Sequence, residues 1–173
     1  EPRNNSFLDS NTLIKSGSDS RFHTIVIGNT GVQPYLNNVF LNNTYLNGAN
    51  ITDIYYTSNC NISYYIKWYL ILNVTDSSGI PLANANVSIT STNETFSNLS
   101  DSNGKAVFAL TQYYAHSPDN CHPAEEIKQN FTPHTITISK SGYTSNITTT
   151  TMNQSKTLNI VLSSGPSVPG TLI

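Results

Sequence analysis

The stretch Tyr64-Tyr65-Ile66-Lys67-Trp68-Tyr69-Leu70-Ile71-Leu72-Asn73-Val74-Thr75 decides the fold. Its side chains alternate with a period of two. Ile66, Trp68, Leu70, Leu72 and Val74 share one face, and Tyr65, Lys67, Tyr69, Ile71 and Asn73 share the other, the pattern of a half-buried β-strand. Working toward the C-terminus, Asp76-Ser77-Ser78-Gly79 reads as a turn, followed by a strand over 84–90 with Ala85, Val87 and Ile89 inward. Further strands are predicted at 95–99, 105–112, 134–140, 145–151 and 156–162, and Asp101-Ser102-Asn103-Gly104 marks another turn. Seven short strands at such spacing predict an all-β, Ig-like or prealbumin-like sandwich. Residues 113–131 read as a long irregular insertion, with one helical turn at most over 124–129. The predicted domains are a β-extension at 1–62, the sandwich at 63–163 and a linker-like tail at 164–173.

The first 62 residues behave differently. Asn4-Asn5-Ser6-Phe7-Leu8-Asp9-Ser10 is echoed by Asn37-Asn38-Val39-Phe40-Leu41-Asn42-Asn43, and the two copies start 33 residues apart. Paired Asn followed by apolar residues fits rungs of a parallel β-helix, with stacked Asn bonding between rungs and Phe and Leu filling the tube. Between the copies lies a strand of strong β-propensity, apolar at Phe22, Ile25, Val26 and Ile27. It has two possible partners. It can complete the sheet of a neighbouring copy, as in donor-strand complementation, or it can stack within its own chain on 37–43.

Composition narrows the function. Charged residues make up 10% of the chain, with 8 Lys and Arg against 10 Asp and Glu. No basic excess is present to neutralise phosphates, which excludes nucleic acid as a partner. No apolar run is long enough to span a membrane. A net charge of −2 gives little colloidal repulsion. The pattern Asn-x-Ser/Thr supplies another source of solubility. It occurs at Asn4, Asn42, Asn50, Asn61, Asn73, Asn86, Asn93, Asn98, Asn130, Asn146 and Asn153, eleven times among 23 asparagines. Chance would give about six. N-glycans are therefore expected as covalent partners, with Asn73, Asn86 and Asn146 expected to point away from the core. Cys60 and Cys121 are the only cysteines and lack zinc-finger spacing, so a single disulfide in an oxidising compartment is expected. No signal-peptide pattern opens the chain at Glu1, so a secreted protein whose signal has been removed is expected.

Chemistry-bearing residues are few. His116, Asp119, His122, Glu125 and Glu126 fall within eleven positions and are all ligand-capable, but they lie in a Pro-containing loop without evident orienting partners. A solvated insertion is the reading. Asp101-Ser102-Asn103-Gly104 begins like a calcium loop, but its Gly comes too early and the twelfth position has no Glu. Lys67 and Asn159 suggest an intramolecular amide bond, yet Lys67 lies on the face opposite Trp68. No nucleophile elbow or phosphate loop exists. No catalytic residue, metal or cofactor is expected, and the chain reads as a non-enzyme.

The run KWYLILNVTDSSGIPLANANVSIT (67–90), with SDSNGKAVFAL (100–110) and HTITISKSGYTS (134–145), resembles carboxypeptidase-regulatory-like and Ig-like modules of surface proteins. Residues 1–62 look like the last rungs of β-helix surface proteins. In style, though not in motif, the chain is similar to subunits of glycosylated extracellular threads. These resemblances imply life at a cell surface and a structural role. The expected function is a self-associating subunit of a glycosylated filament or surface layer, whose partners are copies of itself, with a stalk or adhesin module of a larger surface protein as the alternative.

Overall fold

In a computed structural model of the chain, the residues described are 7–14, 23–27, 35–56, 62–117 and 126–165. They are all-β and form two compact units. One unit takes in the described residues up to Trp68 together with Thr111–Asn130, and the other takes in Tyr69–Leu110 and those from Phe131 onward. The division therefore falls after Trp68 and not at 62/63, and the first unit also claims the expected insertion.

The first unit is a short parallel β-coil. Strand β1 (Phe7–Asp9) pairs in parallel with β4 (Tyr35–Leu41), which pairs in parallel with the start of β7 (Ile62–Asp76). On further faces of the coil, β2 (Thr12–Ile14) pairs with β5 (Thr44–Leu46), and β3 (Ile25–Ile27) with β6 (Ile54–Tyr56), both parallel. The rung step is 32 residues at β1/β4 and β2/β5, one short of the 33 suggested by the echo. The corner between strands explains the difference. Ser10 and Asn42 both adopt a left-handed backbone, with φ of 54° and 51°, a region that Asn tolerates better than most residues. Aligning these two corners places Asn11 over Asn43, and the Asn43 side-chain oxygen accepts the Asn11 backbone N–H at 2.9 Å. In the next step the buried Asn38 donates from Nδ2 to the Ser63 carbonyl at 3.0 Å. Ile25, Phe40, Ile54, Ile62, Tyr64 and Ile66 fill the interior with Tyr113 and Ala115. Each large apolar side chain contributes roughly 1.5–3 kcal/mol on burial.

The second unit is the expected β-sandwich. Besides β7 from Tyr69 onward its strands are β8 (Asn86–Thr90), β9 (Thr95–Leu99), β10 (Lys105–His116) as far as Leu110, β12 (His134–Ser139), β13 (Asn146–Thr150) and β14 (Lys156–Leu162). One sheet has the order β13-β12-β8-β9, antiparallel throughout. In the other, β14 runs parallel to β7 with Lys156 opposite Leu70 and Leu162 opposite Asp76. Leu70, Leu72 and Val74 of β7 are fully buried, with Val87, Ile89, Leu110, Ile136, Ile138 and Met152 among the core. The alternation read from the sequence is the cause of this placement.

The two Asp-x-x-Gly turns share one design. Asp76 Oδ1 accepts the N–H groups of Ser78 and Ile80, and Asp101 Oδ1 accepts those of Asn103 and Lys105. Gly79 and Gly104 both have positive φ. Asp101 is thus committed to backbone hydrogen bonds in a hairpin turn.

The expected irregular insertion is partly regular. β10 runs on to His116, and β11 (Ile127–Asn130) pairs with it antiparallel, Tyr113 opposite Asn130 and His116 opposite Ile127. A strand thus replaces the helical turn expected around 127–129. Leu110 and Thr111 are both buried, so the inward side of β10 changes from even to odd residues there. That break in period hid the strand's continuation.

Candidate functional site

Nine of the eleven sequon asparagines fall among the described residues; Asn4 and Asn61 lie outside them. Asn50, Asn86, Asn93, Asn98, Asn130 and Asn153 are exposed, and Asn42, Asn73 and Asn146 are half-buried. Among the described residues the two buried asparagines, Asn38 (2% exposed) and Asn43 (4%), are not sequon acceptors. Asn50 is exposed at a corner of the coil, where its side-chain oxygen accepts the Thr52 N–H at 3.0 Å. Asn73 lies opposite the core side chains as expected, and its Nδ2 donates to Asn159 Oδ1 across the parallel ladder at 2.9 Å. Asn86 also faces away from the core, opposite Ser139 and Leu99.

Asn146 departs from expectation. It pairs with the buried Ile138 and shares its face, while Ile147 is 70% exposed. β13 is an edge strand whose inward Thr148 and Thr150 carry hydroxyls, so its lone apolar residue gave a misleading phase.

The expected assembly strand, Ile25–Ile27, pairs in parallel with Ile54–Tyr56 of the same chain. It is a rung, yet its partner is not 37–43. Ile25 enters the coil interior and Val26 points to solvent, 58% exposed. One asparate fixes this corner: Asp53 holds His23 Nδ1 at 2.9 Å and accepts both the N–H and the hydroxyl of Thr24. His23 also stacks on Tyr55 with ring centroids 4.5 Å apart. Phe22 lies outside the described residues, and the side chain of Ile27 is likewise undescribed.

Cys60 and Cys121 lie outside the described residues, as do Asp119, His122 and Glu125. Among the described residues no group of three or more His, Cys, Asp or Glu is placed to hold a metal ion. His116 stacks beside Tyr114, and Glu126 takes part in a polar cluster of its own. Lys67 lies over the Tyr65 ring at 5.6 Å, and Asn159 pairs with Asn73. No described helix is long and apolar enough to cross a membrane.

Two polar clusters escaped sequence reasoning. Tyr64 donates its hydroxyl to Glu126, whose other oxygen holds Lys128 Nζ at 2.9 Å. Lys128 in turn lies 5.2 Å from the Tyr113 ring centre. Burial pushes the Tyr113 phenol up to about 12, with the Glu126 charge adding to the shift. In the second cluster, the fully buried His134 meets Glu94 through Nε2 at 2.7 Å. Tyr64 looked like a simple strand position and Tyr113 like the start of an irregular insertion, and residues 94 and 134 are forty apart in sequence.

No family model matches the chain, and no curated protein matches it. Solved structures do show a likeness. Catechol 1,2-dioxygenase from Acinetobacter radioresistens is 15% identical over 61% of this chain, with a TM-score of 0.42. The Pseudomonas arvilla C-1 catechol 1,2-dioxygenase is 13% identical over 80%, with a TM-score of 0.43. The shaft pilin spaA from Lactobacillus rhamnosus GG is 9% identical over 57% and covers 48% of that protein, with a TM-score of 0.39. The chain spans 55% and 60% of the lengths of the two dioxygenases. The expectation of a non-enzyme is corrected by these findings, because the similar structures include enzymes. The likeness assigns no catalytic residue or substrate to this chain. The described residues themselves form an all-β fold of the β-sandwich kind.

Proposed function

We propose that this chain is a structural, N-glycosylated module of an extracellular surface or filament, which associates with copies of itself. The observation that carries the reading is that none of the described acceptor asparagines is buried. Every described sequon Asn reaches solvent, while the buried Asn38 and Asn43 lie outside the sequon pattern. A polar residue facing outward needs no further explanation, but a Ser or Thr two places later at each of these positions does. Glycans are bulky and solubilising, and they would compensate for the low charge. Cys60 and Cys121 form a disulfide in this reading, which suits the same oxidising compartment.

Assembly proceeds by strand addition at open edges, with β3 retained in its own coil. Among the described residues β1, β2 and β3 each pair along one side only, which supports edge-on addition of strands from a second copy. A head-to-tail contact that does not close would build an open filament. Further rungs of a larger surface protein would cover the same edges, which supports a stalk or adhesin module as the second reading.

Peptide mass spectrometry of the native secreted protein, with negative-stain microscopy, tests the proposal. Hexose-bearing Asn50, Asn86 and Asn93 together with filaments are expected. Unmodified Asn at all three would overturn the glycosylated reading, and uniform monomers would overturn self-assembly in favour of the stalk. Alkylation without reductant should leave the mass unchanged if the two cysteines are paired.

A further inference from the structure

We propose that Tyr65 and Tyr114 form an oxidative cross-linking site, joined ring to ring as dityrosine within one chain. The two tyrosines project from neighbouring strands, β7 and β10, within the first unit. Their ring centroids are 4.8 Å apart and the planes are tilted by 43°. Both side chains are half-buried, so each ring keeps some exposure to an external oxidant while packing holds the pair together. Lys67 over Tyr65 and His116 against Tyr114 support the pair from either end. Burial and the neighbouring Tyr114 raise the Tyr65 pKa, so its phenol is neutral at physiological pH and loses a proton with the electron.

A second tyrosine pair serves as an internal contrast. Tyr64 and Tyr113 are also neighbours, at 6.1 Å, but their rings meet edge to face at 75° and both are buried in the coil interior. Oxidant access is closed there and the ring edges do not run alongside each other. The geometry selects the outer pair alone.

The oxidant is hydrogen peroxide acting through a haem peroxidase. Each phenol loses one electron and one proton to become a phenoxyl radical, and one peroxide takes up both electrons and both protons as two waters. The radicals couple between carbons ortho to the oxygens. The hydrogens on those two carbons then shift to the oxygens, which restores both hydroxyls. The net change is the loss of two hydrogen atoms from the protein. The product would tie β7 to β10 covalently, a link that neither glycans nor a disulfide provides, and it does not depend on the glycosylation reading.

The test treats the full chain, at low concentration, with a haem peroxidase and peroxide. Dityrosine fluorescence should appear on a monomer lighter by two hydrogens, and a proteolytic digest should contain one cross-linked peptide pair bearing Tyr65 and Tyr114. Tyr65→Phe and Tyr114→Phe should each reduce the yield to background, while Tyr55→Phe retains it. Cross-links only between chains, a link mapping to other tyrosines, or no dityrosine in the wild-type monomer would overturn the proposal. Mapping in the wild-type protein decides the matter even if a variant folds poorly.

Discussion

The side-chain oxygen of Asn43 accepts the backbone N–H of Asn11 at 2.9 Å, joining one rung of the coil to the next across 32 residues. Asn43 is itself buried, so its amide must be satisfied where it stands. Asn43→Ala leaves the Asn42-x-Thr44 acceptor pattern intact and removes this bridge. The expected loss is about 1–3 kcal/mol of stability. Thermal melts of the wild type and the variant measure it, and an unchanged melting temperature would show that the rung step does not depend on this contact.

The buried pair of His134 and Glu94 makes a similar demand on the sandwich. His134 is inaccessible to solvent and meets Glu94 Oε1 at 2.7 Å. Glu94→Ala should cost about 1.5–3 kcal/mol, as expected of a hydrogen bond involving a charged group. Glu94→Gln keeps an oxygen acceptor in place and should cost less. Urea titration of the three proteins ranks them, and both variants preserve the Asn93-x-Thr95 pattern.

Gly104 and Gly79 offer a matched comparison of steric and conformational cost. Both have positive φ, so either Ala substitution bears a left-handed strain of about 1–2 kcal/mol. A Cβ at Gly104 would lie 2.3 Å from the Val74 carbonyl oxygen, whereas one at Gly79 would meet nothing within 4 Å. Gly104→Ala should therefore be clearly the more destabilising of the two in equilibrium unfolding. Equal losses would place the whole cost in the backbone.

Alkaline pH should weaken the first unit selectively. The Tyr113 phenol is pushed up to about 12 from its ordinary value of 10.0. In the unfolded chain it would ionise at the lower value. Stability from keeping it neutral is complete below pH 10 and is lost as pH rises from about 10 toward 12, by about 3 kcal/mol at most. Tyr113→Phe should flatten that decline, as followed by far-ultraviolet circular dichroism between pH 9 and 12.

Sequence reading was most successful where a single physical rule governed the residues. Period-two alternation located β7 and its buried Leu70, Leu72 and Val74, because both sides of that strand were unambiguous. The repeated Asn and apolar residues revealed rungs, but not their register, which depends on the left-handed corners at Ser10 and Asn42. β13 misled because Asn-Ile-Thr-Thr-Thr holds one apolar residue, and on an edge strand that residue can face solvent. The expected assembly strand was recognised as a strand, but sequence alone could not choose between an intramolecular partner and a neighbour. The pairing of β3 with β6 is settled by the corner bonds of Asp53, a residue with no local signature.

The parallel register of β14 beside β7 has a mechanical consequence. Tension entering the sandwich at Tyr69 and leaving after Leu162 pulls these two strands lengthwise past each other. The pairs from Lys156 with Leu70 to Leu162 with Asp76 then bear the load together rather than one after another. Rupture in this direction requires the whole ladder to shear at once, whereas peeling from one end would break it rung by rung at lower force.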